Sequence, residues 1–114
     1  MMVMFAGALI ALAAQSAAAP EPQANPQVIA QALDRCMATY AVRMTKTDAS
    51  DETIFAEATR GCAQLNEQFK AAINAQVPAP QASAFIKQMD ATAKPNFMVM
   101  LAKIRRDRAS RAAN

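Results

Sequence analysis

The stretch from Asp34 to Cys62, DRCMATYAVRMTKTDASDETIFAEATRGC, decides the fold because it holds both cysteines of the chain, Cys36 and Cys62, on opposite sides of a polar break. On each side of the break, apolar side chains recur in steps of three and four, which is typical of amphipathic helices. The break, TKTDAS, ends at Ser50, a residue type that favours helix N-termini. The stretch therefore predicts two helices joined by a short loop.

The predicted helices span about 26–44 and about 51–76. Asn25 can cap the first helix, and Pro26 suits its first helical position. The second helix begins after Ser50 with two acidic residues in its first turn, where negative charge is favoured. Each helix thus carries its own start signal.

A single antiparallel register places Cys36 opposite Cys62. Facing residues of such a hairpin have nearly constant summed residue numbers. The cysteines share their sum with four apolar pairs, namely Ile29 with Phe69, Leu33 with Leu65, Tyr40 with Ala58, and Met44 with Ile54. Facing positions in close-packed helices can bring Cα atoms within the roughly 7 Å that a disulfide requires.

Other roles for the cysteines fit less well. A metal site needs about four ligands, but the chain has no histidine and no third cysteine. Redox pairs are usually Cys-x-x-Cys, and a cysteine nucleophile needs a histidine-type base. We therefore predict a structural disulfide between Cys36 and Cys62, formed in an oxidising compartment.

Composition and the C-terminal half complete the predicted fold. The chain is 54% hydrophobic and has 2 glycines, which favours helices over hairpin-rich β-structure. Apolar spacing predicts two shorter helices, about 80–93 and 95–110, separated at Lys94-Pro95 because the residue before proline disfavours helical geometry. The prediction is an all-α small helical bundle, with residues 26–114 as a single domain.

The N-terminal sequence MMVMFAGALIALAAQSAA is typical of a secretory signal peptide, which we assign to residues 1–18. Residues 19–25 then form a short, extended, Pro-rich lead-in. The alternative is an uncleaved membrane anchor, although the apolar run is short for the roughly 20 residues of a membrane span. With the disulfide, the signal peptide predicts a periplasmic or secreted protein.

The formal charge of +3 is concentrated in a basic C-terminal tail, residues 103–114, and the segment before it is apolar. This region could cover the open face of the hairpin with its basic side in solvent. Alternatively, it could expose an apolar strip with a basic border to a partner or an anionic membrane. The candidate contact residues are Phe97, Met100, Leu101, Lys103, Ile104, Arg105, Arg106 and Arg108.

Two further features allow a simple and a sharper interpretation. Gly61, inside the second helix, is either a tolerated glycine, which we prefer, or a position whose missing side chain lets another helix approach the disulfide. The methionines are either core residues or thioether ligands for Cu(I). We favour core packing because the methionines at 37, 44, 89, 98 and 100 form no Met-x-x-Met repeat.

Nothing in the sequence indicates catalysis. Histidine is absent, the acidic residues are scattered, and there is no phosphate-binding loop or nucleophile elbow. We therefore predict a non-enzymatic exported protein without metal or cofactor that binds another protein. The alternatives are a binder of anionic membrane surfaces and a small periplasmic chaperone. Nucleic acid is not an expected partner, whereas a homodimer would also bury the apolar strip.

Overall fold

The computed structural model describes residues 25–113, which fold into four α-helices without a β-strand. Helix α1 spans Pro26–Met44, α2 spans Asp51–Gly61, α3 spans Ala63–Gln76 and α4 spans Ala79–Ala113. The predicted all-α bundle is confirmed for this part of the chain. The predicted signal peptide, and the lead-in up to residue 24, lie outside the described residues.

The predicted start signals of the hairpin helices are confirmed. Asn25 Oδ1 accepts a hydrogen bond of 2.9 Å from the backbone N–H of Gln27, and Pro26 is the first residue of α1. Ser50 Oγ accepts a hydrogen bond of 3.2 Å from the N–H of Thr53 in α2. Each cap satisfies a backbone donor that the helix cannot satisfy itself and contributes about 1 kcal/mol.

The predicted disulfide is present and joins α1 to the junction between α2 and α3. The Cα atoms of Cys36 and Cys62 lie 6.0 Å apart, and Cys62 is buried. The members of three of the four predicted apolar pairs share a cluster. Tyr40 and Met44 pack in one cluster with Ile54 and Ala58, and Ile29 packs in another with Phe69.

The second predicted helix is divided at Cys62 instead of running unbroken over 51–76. Cys62 has φ −106° and ψ 12°, away from helical values, and separates α2 from α3. Hydrogen bonds still run from the Cys62 N–H to the Ala58 carbonyl, 2.9 Å, and from the Asn66 N–H to the Cys62 carbonyl, 3.1 Å. The division coincides with Gly61, the weakest helix former in this segment.

Gly61 has a packing role that the simpler interpretation of the sequence missed. A Cβ atom built at this position would overlap the ring and hydroxyl of Tyr40 on α1. The absence of a side chain therefore lets Tyr40 lie against the backbone of α2 close to the disulfide. This position therefore agrees with the second interpretation of the sequence, in which the missing side chain allows a close approach beside the disulfide.

We expect Gly61→Ala to destabilise the protein by about 1 kcal/mol, because overpacking costs about 1–3 kcal/mol and the gain in helix propensity is about 1 kcal/mol. In a Tyr40→Ala background the clash is gone, so the same substitution should stabilise. Urea unfolding of the four proteins of this cycle measures both effects. An equal effect of Gly61→Ala in the two backgrounds would contradict the role of Tyr40.

The two predicted C-terminal helices are a single helix, α4, with Pro95 inside it. Proline removes the hydrogen bond to the carbonyl of Ala91 and disfavours the helix by about 3 kcal/mol. Ala91 and Pro95 are exposed, so water can hydrate that carbonyl. On either side of Pro95, buried residues of α4 pack on the same hairpin, which holds both halves in line.

Helix α4 packs at two places along the hairpin. Near the α1–α2 loop, Phe97 and Leu101 join a buried cluster with residues of α1 and α2. Near the open end, Ala82 packs with Phe69 and Ile73 of α3. Between these two contacts, the middle of α4 forms one wall of a groove.

Candidate functional site

The groove, called the central groove below, has a volume of about 760 Å³ and lies between α1, the α2–α3 pair and the middle of α4. Ligand-binding pockets typically measure about 300–1,000 Å³. Helix α1 contributes Ala30, Leu33, Asp34 and Met37, and α2 and α3 contribute Phe55, Thr59, Asn66, Phe69 and Lys70, with Cys62 between them. Helix α4 contributes Phe85, Met89, Asp90, Thr92, Ala93, Asn96, Phe97 and Met100.

Aromatic pairs connect α4 to the hairpin at both ends of the central groove. Phe55 and Phe97 have ring centroids 5.4 Å apart at one end, and Phe69 and Phe85 have centroids 6.2 Å apart at the other. These four are all the phenylalanines of residues 25–113. Tilted pairs at these separations are favourable for aromatic rings.

The heptad spacing of the sequence explains the floor of the groove. Phe55, Cys62 and Phe69 are successive seventh residues, which places them on one face of α2 and α3. At a rise of 1.5 Å per residue, the distance from Phe55 to Phe69 is about 20 Å. The disulfide therefore lies midway along an apolar floor that is about four helical turns long.

The groove is open to solvent, and its walls contain adaptable side chains. Phe85 is 48% exposed despite its contact with Phe69. Met37, Met89 and Met100 line the walls and are partly buried. Methionine is flexible and polarisable, so it fits apolar partners of different shape.

Charged groups lie along the rim of the groove. Lys70 Nζ of α3 and Asp90 Oδ2 of α4 form an ion pair of 3.3 Å. Asp34 of α1 is exposed and forms no ion pair within residues 25–113. The rim therefore carries one carboxylate that is available to a cation of a bound molecule.

The apolar residues predicted as partner or membrane contacts lie mainly against the hairpin. Phe97 is 3% exposed and Leu101 is fully buried, while Met100 and Ile104 are partly buried beside them. Phe97 and Met100 also line the central groove. Phe97 and Leu101 therefore do not belong to an exposed apolar strip, because both are covered by α1 and α2.

Three of the four basic residues that were predicted to contact a partner or a membrane bind other residues of this protein. Lys103 pairs with Asp107 at 2.9 Å, and Arg105 pairs with Asp51 of α2 at 2.7 Å. Arg108 donates hydrogen bonds to Thr45 Oγ1, 2.9 Å, and to the Val42 carbonyl, 3.3 Å. Arg106 is exposed and has no ion-pair partner within residues 25–113.

The sequence contained a signal for part of the groove. The heptad spacing of Phe55, Cys62 and Phe69 can be recognised in the sequence. Nothing in the sequence indicates which residues form the opposite wall. Phe85, Met89 and Ala93 belong to a face that could have packed fully on the hairpin. Whether that face meets the hairpin or leaves a gap depends on the path of α4 past Pro95.

Comparison of the chain with protein families, curated proteins and solved structures found no match. Within residues 25–113, no helix combines the length and hydrophobicity needed to cross a membrane. The same residues contain no group of three or more potential metal ligands from histidine, cysteine, aspartate and glutamate. The central groove is therefore the candidate functional site, on the strength of its own geometry.

Proposed function

We propose that this protein is an exported, non-enzymatic binding protein that holds an amphipathic helix of a partner protein in the central groove. The observation that carries the proposal is the groove itself, where all four phenylalanines of residues 25–113 converge with three methionines. Helix-in-groove recognition uses such apolar clefts, into which a partner helix inserts one face.

The dimensions of the groove favour a helix as the bound element. A floor of about 20 Å matches about 13–15 residues of α-helix. Apolar side chains at positions i, i+4, i+7 and i+11 of that helix would lie along the floor between the two aromatic pairs. The exposed ring of Phe85 would lose contact with water on binding.

The rim adds charge selectivity to the proposed site. Asp34 has no cationic partner within residues 25–113, so a lysine or arginine on the flank of the bound helix would complement it. The Lys70–Asp90 ion pair lies on the rim between α3 and α4 and adds no net charge. The preferred partner is therefore an amphipathic helix with an apolar face and a basic flank.

Export is the second part of the proposal. The Cys36–Cys62 disulfide is compatible with an oxidising compartment such as the periplasm or the extracellular space. The apolar N-terminal run in the sequence is the second support, as a cleaved signal peptide. Intact-mass measurement of the exported protein should find a chain that begins at residue 19 and lacks two thiol protons.

The binding test uses a fluorescein-labelled peptide of about 15 residues, built from leucine, lysine and alanine with one apolar face. A scrambled peptide of the same composition is the reference. We expect the protein to bind the amphipathic peptide at least about tenfold more tightly by fluorescence anisotropy, because only this peptide presents a continuous apolar face.

Two pairs of variants locate the site. Ala93→Asp introduces a carboxylate into the groove and should weaken binding about tenfold, whereas Ala75→Asp, at an exposed position of α3 outside the groove, should not. Asp34→Asn should weaken binding of the lysine-flanked peptide several-fold. Asp48→Asn is its control, because Asp48 is exposed and does not line the groove.

Three outcomes would overturn the proposal. Equal binding by Ala93→Asp and Ala75→Asp would remove the groove as the site. Equal binding of the scrambled peptide would replace a selective partner with the non-selective apolar binding of a chaperone. A concentration-dependent dimer that Ala93→Asp abolishes would make a second copy of this chain the occupant.

A further inference from the structure

A second surface lies where α1 and α4 end side by side. Arg108 of α4 donates hydrogen bonds to Thr45 Oγ1 and to the Val42 carbonyl at the C-terminal end of α1. Arg43 and Lys46 follow Val42 and Thr45 directly in sequence, so their backbone lies close to the Arg108 side chain. Residues 43–51 and 103–111 together are called the basic end below.

The basic end contains the net charge of residues 25–113. It has seven basic residues and three acidic ones, Asp48, Asp51 and Asp107, whereas the other described residues are balanced at five of each sign. The sequence alone showed only the tail on α4. The fold adds Arg43 of α1 and Lys46 of the loop after it, which are about 60 residues away along the chain.

Several of these cations form no ion pair within residues 25–113. Asp51 and Asp107 pair with Arg105 and Lys103. The hydrogen bond from Lys103, together with the charges of nearby arginines, lowers the pKa of Asp107 below its usual value, as expected in a positive field. Four exposed cations of the basic end form no ion pair with any described residue, namely Arg43, Lys46, Arg106 and Arg111.

We infer that the basic end docks the protein on an anionic lipid surface by electrostatic attraction, without insertion of α4. Clusters of four to eight basic residues bind anionic lipid headgroups through charge alone. Val42 precedes Arg43 and is 42% exposed, and Val99 lies one helical turn before Lys103 and is 69% exposed, so both can enter the headgroup region. Phe97 and Leu101 are buried, so deeper insertion would require α4 to leave the hairpin.

A membrane explains this surface better than a nucleic acid does. Proteins that bind single-stranded nucleic acids combine a basic groove with aromatic side chains on which bases stack. Neither segment of the basic end contains an aromatic residue. A lipid surface needs only the charges that are present, and the inference does not depend on the function proposed for the central groove.

The test is co-sedimentation of the full chain with vesicles of phosphatidylcholine containing phosphatidylglycerol, and with vesicles of phosphatidylcholine alone. Neutral vesicles report any apolar contribution of residues 1–24. We expect binding to the anionic vesicles in low salt and its loss in about 0.5 M salt, where charges are screened within a few ångströms. Arg43→Gln/Lys46→Gln should weaken binding roughly 30-fold, and Arg106→Gln/Arg111→Gln equally.

The matched control is Arg60→Gln/Lys87→Gln, which removes two exposed cations outside the basic end and changes the net charge equally. It should weaken vesicle binding less than about threefold, since these cations lie farther from the surface. An equal loss of vesicle affinity in the control would mean that net charge alone, and not the position of the cations, determines binding. No effect of the Arg43→Gln/Lys46→Gln variant, or binding to DNA but not to anionic vesicles, would overturn the inference.

Discussion

Removal of the disulfide by a double Cys36→Ala/Cys62→Ala substitution is expected to lower the free energy of unfolding by about 3.5 kcal/mol. The crosslink closes a loop between residues separated by 26 positions, and its absence gives the unfolded chain more conformations. For a helical domain of this size the loss corresponds to a fall in Tm of about 15–25 °C. Thermal unfolding monitored by circular dichroism at 222 nm measures it.

Reduction of the unmodified protein should produce the same fall in Tm, which separates loss of the crosslink from loss of the two sulfur atoms. The double variant is the control and should be insensitive to the reductant. A Tm that falls by less than about 5 °C on complete reduction would show that helix packing alone holds the hairpin together. The peptide affinity should fall as well, because Cys62 lies in the floor of the central groove.

Leu101→Ala is expected to destabilise the protein by about 3 kcal/mol. Leu101 is fully buried in the cluster that joins α4 to α1 and α2, and truncation of a buried leucine to alanine costs about 2–5 kcal/mol. The effect separates the two interpretations of the C-terminal sequence, since an exposed strip would tolerate this change. Urea unfolding with a constant m-value gives the free-energy difference.

Val99→Ala is the matched control for Leu101→Ala. Val99 is two residues away on the same helix but is 69% exposed, so its truncation should change the stability by no more than about 0.5 kcal/mol. Similar losses for the two variants would mean that α4 does not pack on the hairpin by the face seen here. The placement of both the central groove and the basic end would then be wrong.

The hairpin could be predicted because its determinants are local or periodic. Asn25 and Ser50 cap helices through contacts within three residues of themselves. The apolar repeats of both helices share one register, and that register leaves Cys36 facing Cys62. A short polar loop allows few other arrangements, so spacing alone was enough to predict the disulfide.

The path of α4 could not be predicted in the same way. A proline preceded by lysine is a strong local signal to end a helix, yet α4 continues through Pro95. Packing on both sides of the proline outweighs its local cost, and the sequence does not show how much packing each side obtains. The central groove depends on this continuity, because it lies between the two places where α4 meets the hairpin.

The amino-acid sequence by itself determined the helical class, the hairpin, its caps and the pairing of its cysteines. These follow from short-range hydrogen bonding and from apolar periodicity, which can be read along the chain. Only the tertiary structure decided that Phe85 contacts Phe69 at one end of the groove, and that Arg108 of α4 reaches the end of α1. Such contacts depend on the direction in which one helix crosses another, which is set by the packing of the whole bundle.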